Sequence, residues 1–426
     1  GLMEVDGEVF RAPSIVQEIF RGWLENDYKK EDNEGLQQFL SDFRSGSDKR
    51  SNSYWCEVAL KSLLFLFPDE PDEPPLWPEC ERLLSHAHAV LDRAAQRKVL
   101  QEASAELWVR LSEYYQARAL LEYASGGFRR AIKLQTEANG QEHKSLVPMY
   151  EQLARVYRQR GKLDDARSGY DQALSLLLKN RSKEYDLIAD IYVGLGNVAM
   201  EQRDLPSARQ YYMRALDEDQ KLKGAEADEN VARDYTQLGL VSQELGDLTA
   251  AWDYYSKALE ALESVHEEFN PDVALAVRNM AGLLKIMGDL DNARNYYRRA
   301  LKINLHLYDE HHPFVAQDRN NLGLVLQNLG FLDEAATELR KALEIDEQTY
   351  GPMHPKVALN KNNVGNILHA QGNLKEALQF YKDAAGIFLK AFGQHHEHTQ
   401  TAMRNYAKVK EQIKRGQDKS GPKVLD

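Results

Sequence analysis

A six-residue phrase returns along this chain at an almost fixed interval. It reads G-K-L-D-D-A at Gly161 to Ala166, G-D-L-T-A-A from Gly246, G-D-L-D-N-A from Gly288, G-F-L-D-E-A from Gly330 and G-N-L-K-E-A from Gly372. Looser copies are R-D-L-P-S-A at Arg203 and G-G-F-R-R-A at Gly126, so successive copies stand 35, 42, 43, 42, 42 and 42 residues apart. Each phrase ends in alanine, and a second alanine follows seven residues later, from Ala131 and Ala138 to Ala377 and Ala384. Seven positions before the turns stand further small residues: Ala154, Gly196, Gly239, Ala281, Gly323 and Gly365. Small side chains let two helix backbones approach closely, and large ones such as Tyr170, Tyr212, Tyr255, Tyr297 and Tyr381 fill the space beside the contact. Each period is therefore predicted to be a helical hairpin, and the chain a stacked array of hairpins. With 426 residues it is also too long for one ordinary core.

These spacings resemble tetratricopeptide repeats, and the 42-residue period resembles the long-helix variant found in kinesin light chains. That variant carries a G-x-x-H-P linker, matched by Gly351, Pro352, Met353, His354 and Pro355, by His312 and Pro313, and by Asn270 and Pro271. Proline suits the first turn of the next helix, where its missing N–H costs little. The fold class expected is all-α: a right-handed superhelical tetratricopeptide repeat solenoid with a small winged-helix remnant, a β-hairpin plus a helix, at the N-terminus. The expected domains are the remnant over 1–25, an atypical helical junction over 26–104, seven repeats and a cap helix over 105–414, and a disordered tail over 415–426. The cap is the segment from Thr399 to Ile413, which has the first-helix pattern without a partner helix.

Gly1 to Arg11 reads as strand, Asp6-Gly7 turn, strand, followed by an amphipathic helix from about Ser14 to Leu24. This run, with F-P-D and W-P-E-C-E-R-L-L-S-H-A-H-A-V-L at Trp77 to Leu91, resembles the winged helix and following junction of STAND nucleotide switches of the NB-ARC type. The resemblance implies an upstream ATPase domain contacted intramolecularly, a repeat domain that senses a trigger, and a signalling role of the kind found in innate immunity. No G-x-x-x-x-G-K-[ST] occurs in the sequence, so the chain itself is expected to be the sensor and not an enzyme.

A net charge of −12 argues against a nucleic-acid partner. No run approaches 18 apolar residues, which argues against a membrane partner, and two cysteines, Cys56 and Cys80, cannot build a disulfide framework. A reducing, cytoplasmic location is expected. His395, His396 and His398 beside Glu397 form the densest group of metal-capable side chains, but they occupy the linker position and read as a diverged surface linker. No cofactor or metal is expected, and no nucleophile with a recognisable base is present.

The array implies a binding surface: stacked hairpins leave their first helices lining a concave groove. The inward row holds Gln152, Gln237, Asn279, Asn321, Asn363 and Asn405, with Asn197 and Asn366 just beyond the small residue and Arg278, Arg319 and Lys361 nearby. Amides spaced by one repeat can bracket peptide groups of an extended ligand, donating to C=O and accepting from N–H. Cations add charge-assisted bonds to carboxylates, so a protein or peptide ligand with an acidic segment is expected. Two readings compete here: these asparagines can equally bridge adjacent helices, and acids such as Asp318 or Glu244 can neutralise the cations locally. At the level of function a STAND-type sensor is favoured over a scaffold or cargo adaptor resembling kinesin light chain, whose upstream coiled-coil heptads are not visible in residues 1 to 100.

Overall fold

The computed structural model describes residues 2–5, 8–11, 52–180, 183–222 and 224–418. Strands β1 (Leu2–Val5) and β2 (Glu8–Arg11) pair antiparallel, Leu2 opposite Arg11 and Val5 opposite Glu8. The helix expected from about Ser14 to Leu24 lies outside the described residues. The β-hairpin is therefore present, while the winged-helix remnant as a module is not supported. Every other regular element among the described residues is helical. The chain divides into two compact units, residues 1–204 and 205–426.

The first unit contains α1 (Asn52–Leu66), α2 (Trp77–Arg97), α3 (Gln101–Ala117), α4 (Leu121–Asn139), α5 (Leu146–Gln159), α6 (Leu163–Lys179) and α7 (Tyr185–Glu201). A 3-10 turn, Pro74–Leu76, leads into α2. Leu60, Leu63, Phe67, Cys80, Leu107 and Phe128 anchor one core shared by α1 to α5. Arg110 of α3 reaches the open end of α1, donating to the Leu64 and Phe67 carbonyls at 2.7 and 3.0 Å. This satisfies orphan carbonyls that a helix end leaves bare.

Here the structure corrects the alignment of the first repeat. Gly126 lies inside α4, not at a turn; the chain reverses at Ala119, which adopts φ +57°. Ala119 is 42 residues before Gly161, so the 35-residue step disappears. The buried alanines of this copy are Ala124 and Ala131, and Ala138 is exposed. A slip of seven residues returns to nearly the same helix face, which is why the alanine pair alone could not detect it.

The second unit contains α8 (Leu205–Asp219), α9 (Ala225–Glu244), α10 (Leu248–Val265), α11 (Pro271–Met287), α12 (Leu290–Leu307), α13 (Pro313–Asn328), α14 (Leu332–Tyr350), α15 (Pro355–Ala370), α16 (Leu374–Phe392) and α17 (Glu397–Asp418). The last helix thus runs beyond residue 414, where the cap was expected to end. The pair α11/α12 shows why the sequence folds this way. Asn270 accepts from the Asp272 and Val273 N–H groups, and Pro271 occupies the first turn. Gly288, at φ +85°, ends α11, and the Asp289 N–H closes back on the Leu284 carbonyl at 3.0 Å. Asp289 then caps α12 by accepting from the Asn292 N–H. The small residue of the first helix meets a large one of the second: a Cβ at Gly239 would lie 2.5 Å from the Tyr255 ring, and one at Gly323 would lie 2.7 Å from Leu339.

The linkers between hairpins follow a repeated plan. His312, His354 and His396, each 42 residues apart, accept through Nδ1 from the N–H two residues on, at 3.2 Å in every copy. Each ring stacks on the aromatic four residues earlier: Tyr308, Tyr350 and Phe392, at 4.0, 4.8 and 4.4 Å between centroids. His396 is therefore a helix cap, and among the described residues no group of three or more His, Cys, Asp or Glu could hold a metal ion. No described helix is long and apolar enough to cross a membrane.

Candidate ligand-binding face

In the second unit the first helices α9, α11, α13, α15 and α17 carry Gln237, Asn279, Asn321, Asn363 and Asn405 at 42-residue steps. All sit two positions before the small contact residue, so they emerge on one face, beside the hairpin contact rather than in it. Asn363 is buried at 7% exposure and the others are half-buried.

Their hydrogen bonds divide the row. Asn363 donates to Asn320 Oδ1 of the preceding hairpin at 3.0 Å, and Asn405 donates to Asn362 Oδ1 at 3.1 Å. Asn366 accepts from the Tyr381 hydroxyl at 2.8 Å. These amides bridge helices. The side chains of Gln237, Asn279 and Asn321 make no hydrogen bond among the described residues, so their donors and acceptors remain open on the face.

The three cations are placed differently from the expectation that they stand ready for a ligand's acids. Arg278 donates to Asp318 at 2.6 Å, Arg319 to Glu338 at 2.6 Å and Lys361 to Glu347 at 2.5 Å. Local neutralisation, the competing sequence reading, describes them. Arg278 is also one residue out of register: 41 residues separate it from Arg319, whereas 42 separate Arg319 from Lys361. One residue is about 100° around a helix, so the three do not form one wall.

Beneath the row lies a layer that sequence reasoning missed. Asn304 of α12 donates to Asp318 of α13 at 2.6 Å, and Asn360 of α15 donates to Asp346 of α14 at 2.8 Å. Asp318 and Asn304 are 0% and 1% exposed. Burial raises the carboxyl pKa of Asp318, opposed by Arg278 and the Asn304 bond, and burial likewise raises that of Asp346. Buried polar groups of this kind are tolerated because both partners are satisfied. Their signal was available, since each pair spans 14 residues and the two pairs repeat at 42.

The remaining expected residues belong to the first unit. Gln152 of α5 lines a cavity of about 610 Å³ with Glu102, Glu106, Glu113 and Met149. Asn197 is half-buried on α7. Between them the amide position is taken by Gly194, where a Cβ would stand 2.5 Å from the Tyr170 ring. The ring fills the space an amide would need, and the row is interrupted there.

A family model described as tetratricopeptide repeat matches residues 145–221, 187–264, 230–306, 272–348 and 315–390, more than half of the chain. No curated protein matches the sequence. Among solved structures, a STAND signal transduction ATPase with a tetratricopeptide repeat sensor from Pyrococcus horikoshii is 15% identical, covering 97% of this chain and 58% of its own, with a TM-score of 0.57. The apo quorum sensor NprR from B. thuringiensis is 11% identical, covering 89% and 100%, with a TM-score of 0.56. The apo form of RapI is 15% identical, covering 85% and 99%, with a TM-score of 0.54. At these identities the likeness concerns the fold.

Proposed function

Because the chain belongs to the tetratricopeptide repeat family, we propose that its second unit binds an extended protein or peptide segment along the first-helix face, as the sensing part of a STAND-type signalling switch. The observation that carries the reading is the pair of open amides, Asn279 and Asn321, one repeat apart on neighbouring first helices, with Gln237 one repeat earlier. A carboxamide donates and accepts at once, which suits the alternating N–H and C=O groups of an extended backbone. The bridging amides Asn363, Asn366 and Asn405 hold the later hairpins in the same register.

Backbone recognition then dominates over charge. An acidic group on the ligand has to share Arg278 with Asp318, or displace Glu338 or Glu347 from Arg319 or Lys361, and so adds to binding instead of driving it. The N-terminal β-hairpin and the Trp77 to Leu91 run support an upstream nucleotide-switch domain in contact with this region, and the fold likeness to a STAND protein bearing such a sensor agrees with it. The chain's two cysteines, Cys56 and Cys80, are both buried and too few for a disulfide framework, which suits a reducing compartment such as the cytoplasm.

The test is to select binders for the full chain from a random-peptide display library and titrate them against the parent and the double variant Asn279→Ala/Asn321→Ala. Two amide contacts worth about 1 kcal/mol each make the variant weaker by roughly tenfold or more. Peptides that bind parent and variant equally well place the ligand elsewhere and overturn the reading.

A further inference from the structure

One linker position changes its chemistry along the second unit. Asn270, His312, His354 and His396 stand 42 residues apart, each immediately before a first helix. Each accepts from the N–H two residues on: Asn270 through Oδ1 at 2.7 Å, and the three histidines through Nδ1 at 3.2 Å. The amide oxygen of Asn270 does not titrate, so the cap of α11 is the same in acid and in base. The other three caps are made by a group that does titrate. A backbone N–H can only donate, so each Nδ1 is unprotonated and the ring's single proton is on Nε2. The next proton can go only to Nδ1, the atom that holds the cap.

Protonation removes the acceptor, sets one N–H against another, and places a positive charge at the helix end that disfavours it. Free imidazole takes this proton near pH 6.5. His312 and His354 are half-buried and His396 is exposed, so solvent reaches all three. The groups around the caps do not replace the lost bond. Tyr308, Tyr350 and Phe392 hold the rings by stacking, which tolerates an imidazolium but offers the helix N–H no acceptor. Beside His312, Asp309 accepts from the His311 N–H, Glu310 pairs with the His311 ring at 3.8 Å, and Arg278 lies 5.9 Å from the Phe314 ring. Asp346, the acid on which His354 and Lys356 both act, is engaged by Asn360 at 2.8 Å, and Lys356 already lies over the Tyr350 ring at 4.5 Å. His398 stands 5.2 Å from His396 between centroids, so charging both rings sets like charges together across Glu397. His395 contacts Gln394 and not the cap.

We propose that the linkers of the second unit form a proton-sensitive device: acid releases the caps of α13, α15 and α17 and leaves the cap of α11 in place. Stability tied to the three histidine caps is present while the rings are neutral and is lost as pH falls through the imidazole range. The three helices carry Asn321, Asn363 and Asn405, so acid loosens the later part of the amide row and spares Asn279. The device stands on the caps alone and holds whether or not the row binds a peptide.

Amide exchange of the full chain, measured at about pH 7.5 and about pH 5.5 and expressed as protection relative to intrinsic exchange, reads each cap separately. The first turns of α13, α15 and α17 are expected to lose about fivefold in protection at the lower pH, the usual effect of removing a cap, while the first turn of α11 keeps its own. His312→Asn/His354→Asn/His396→Asn gives each linker the residue that Asn270 already supplies. This triple variant is expected to lose no protection at these turns on acidification, and its melting temperature is expected to fall less than the parent's. If the variant does not fold, the contrast between α11 and the other three helices in the parent decides alone. Equal loss at all four turns, no loss at any, or the same pH dependence in parent and variant overturns the proposal.

Discussion

Gly239 has no side chain because the Tyr255 ring occupies the place where one would begin. Adding a methyl group there, 2.5 Å from ring carbons, forces the two helices of a hairpin apart. Gly239→Ala is expected to lower stability by about 1–3 kcal/mol in urea denaturation. Gly386 gives the opposite sign: it lies inside α16 with nothing within 4 Å of a built Cβ, so Gly386→Ala removes backbone entropy without a clash. A gain of about 0.5–1 kcal/mol is expected. Glu113 of α3 tests the electrostatics of the first unit. Burial, with Asp72 adding to it and Arg110 opposing, raises its carboxyl pKa from 4.5 to about 7. Between those values the folded chain holds a proton that the unfolded chain has released, so this residue's contribution to stability falls as pH rises through about 7. Comparing melting temperatures of the parent and Glu113→Gln at pH 6 and pH 8 checks this. The parent is expected to lose more on going to pH 8, and an equal loss would contradict the assignment.

The helices themselves were legible because their signals are local and repeated. Glycine at φ +79° to +85° in the turns at Gly246, Gly288, Gly330 and Gly372, proline after Asn270, His312 and His354, and the alanine pairs all fix hairpin positions without reference to distant parts of the chain. The first hairpin was misaligned because Ala119 takes the left-handed turn in place of glycine, and alanine carries no such signal. The sequence left two readings of the cations open for a different reason. Arg278 faces Asp318 from a neighbouring hairpin, 40 residues away in sequence, and the spacing of Arg278, Arg319 and Lys361 does not show what each one meets. The contact has a consequence for stability. The Arg278 side chain is 12% exposed and Asp318 is fully buried, so Arg278→Glu sets two acids against each other in the interior. A loss of about 3–5 kcal/mol is expected in chemical denaturation, as for buried pairs that lose one partner, and an unchanged midpoint would contradict the buried pairing.

Across the second unit, two arrangements run together at the same 42-residue step. One is structural: caps at His312, His354 and His396, buried pairs Asn304–Asp318 and Asp346–Asn360, and amide bridges Asn320–Asn363 and Asn362–Asn405. The other is exposed to a ligand: Gln237, Asn279 and Asn321, whose amides the hairpin stack leaves unsatisfied. Stacked repeats make such a division economical, because neighbours need only local contacts to hold the register and the first-helix face is left for recognition. Hydrogen–deuterium exchange of the full chain, with and without a peptide selected on it, tests this division most directly. Protection is expected to concentrate in α9, α11 and α13, the helices that carry the open amides, with little change in α10, α12 and α14. Protection confined to the second helices, or to the first unit, would contradict binding along the first-helix face.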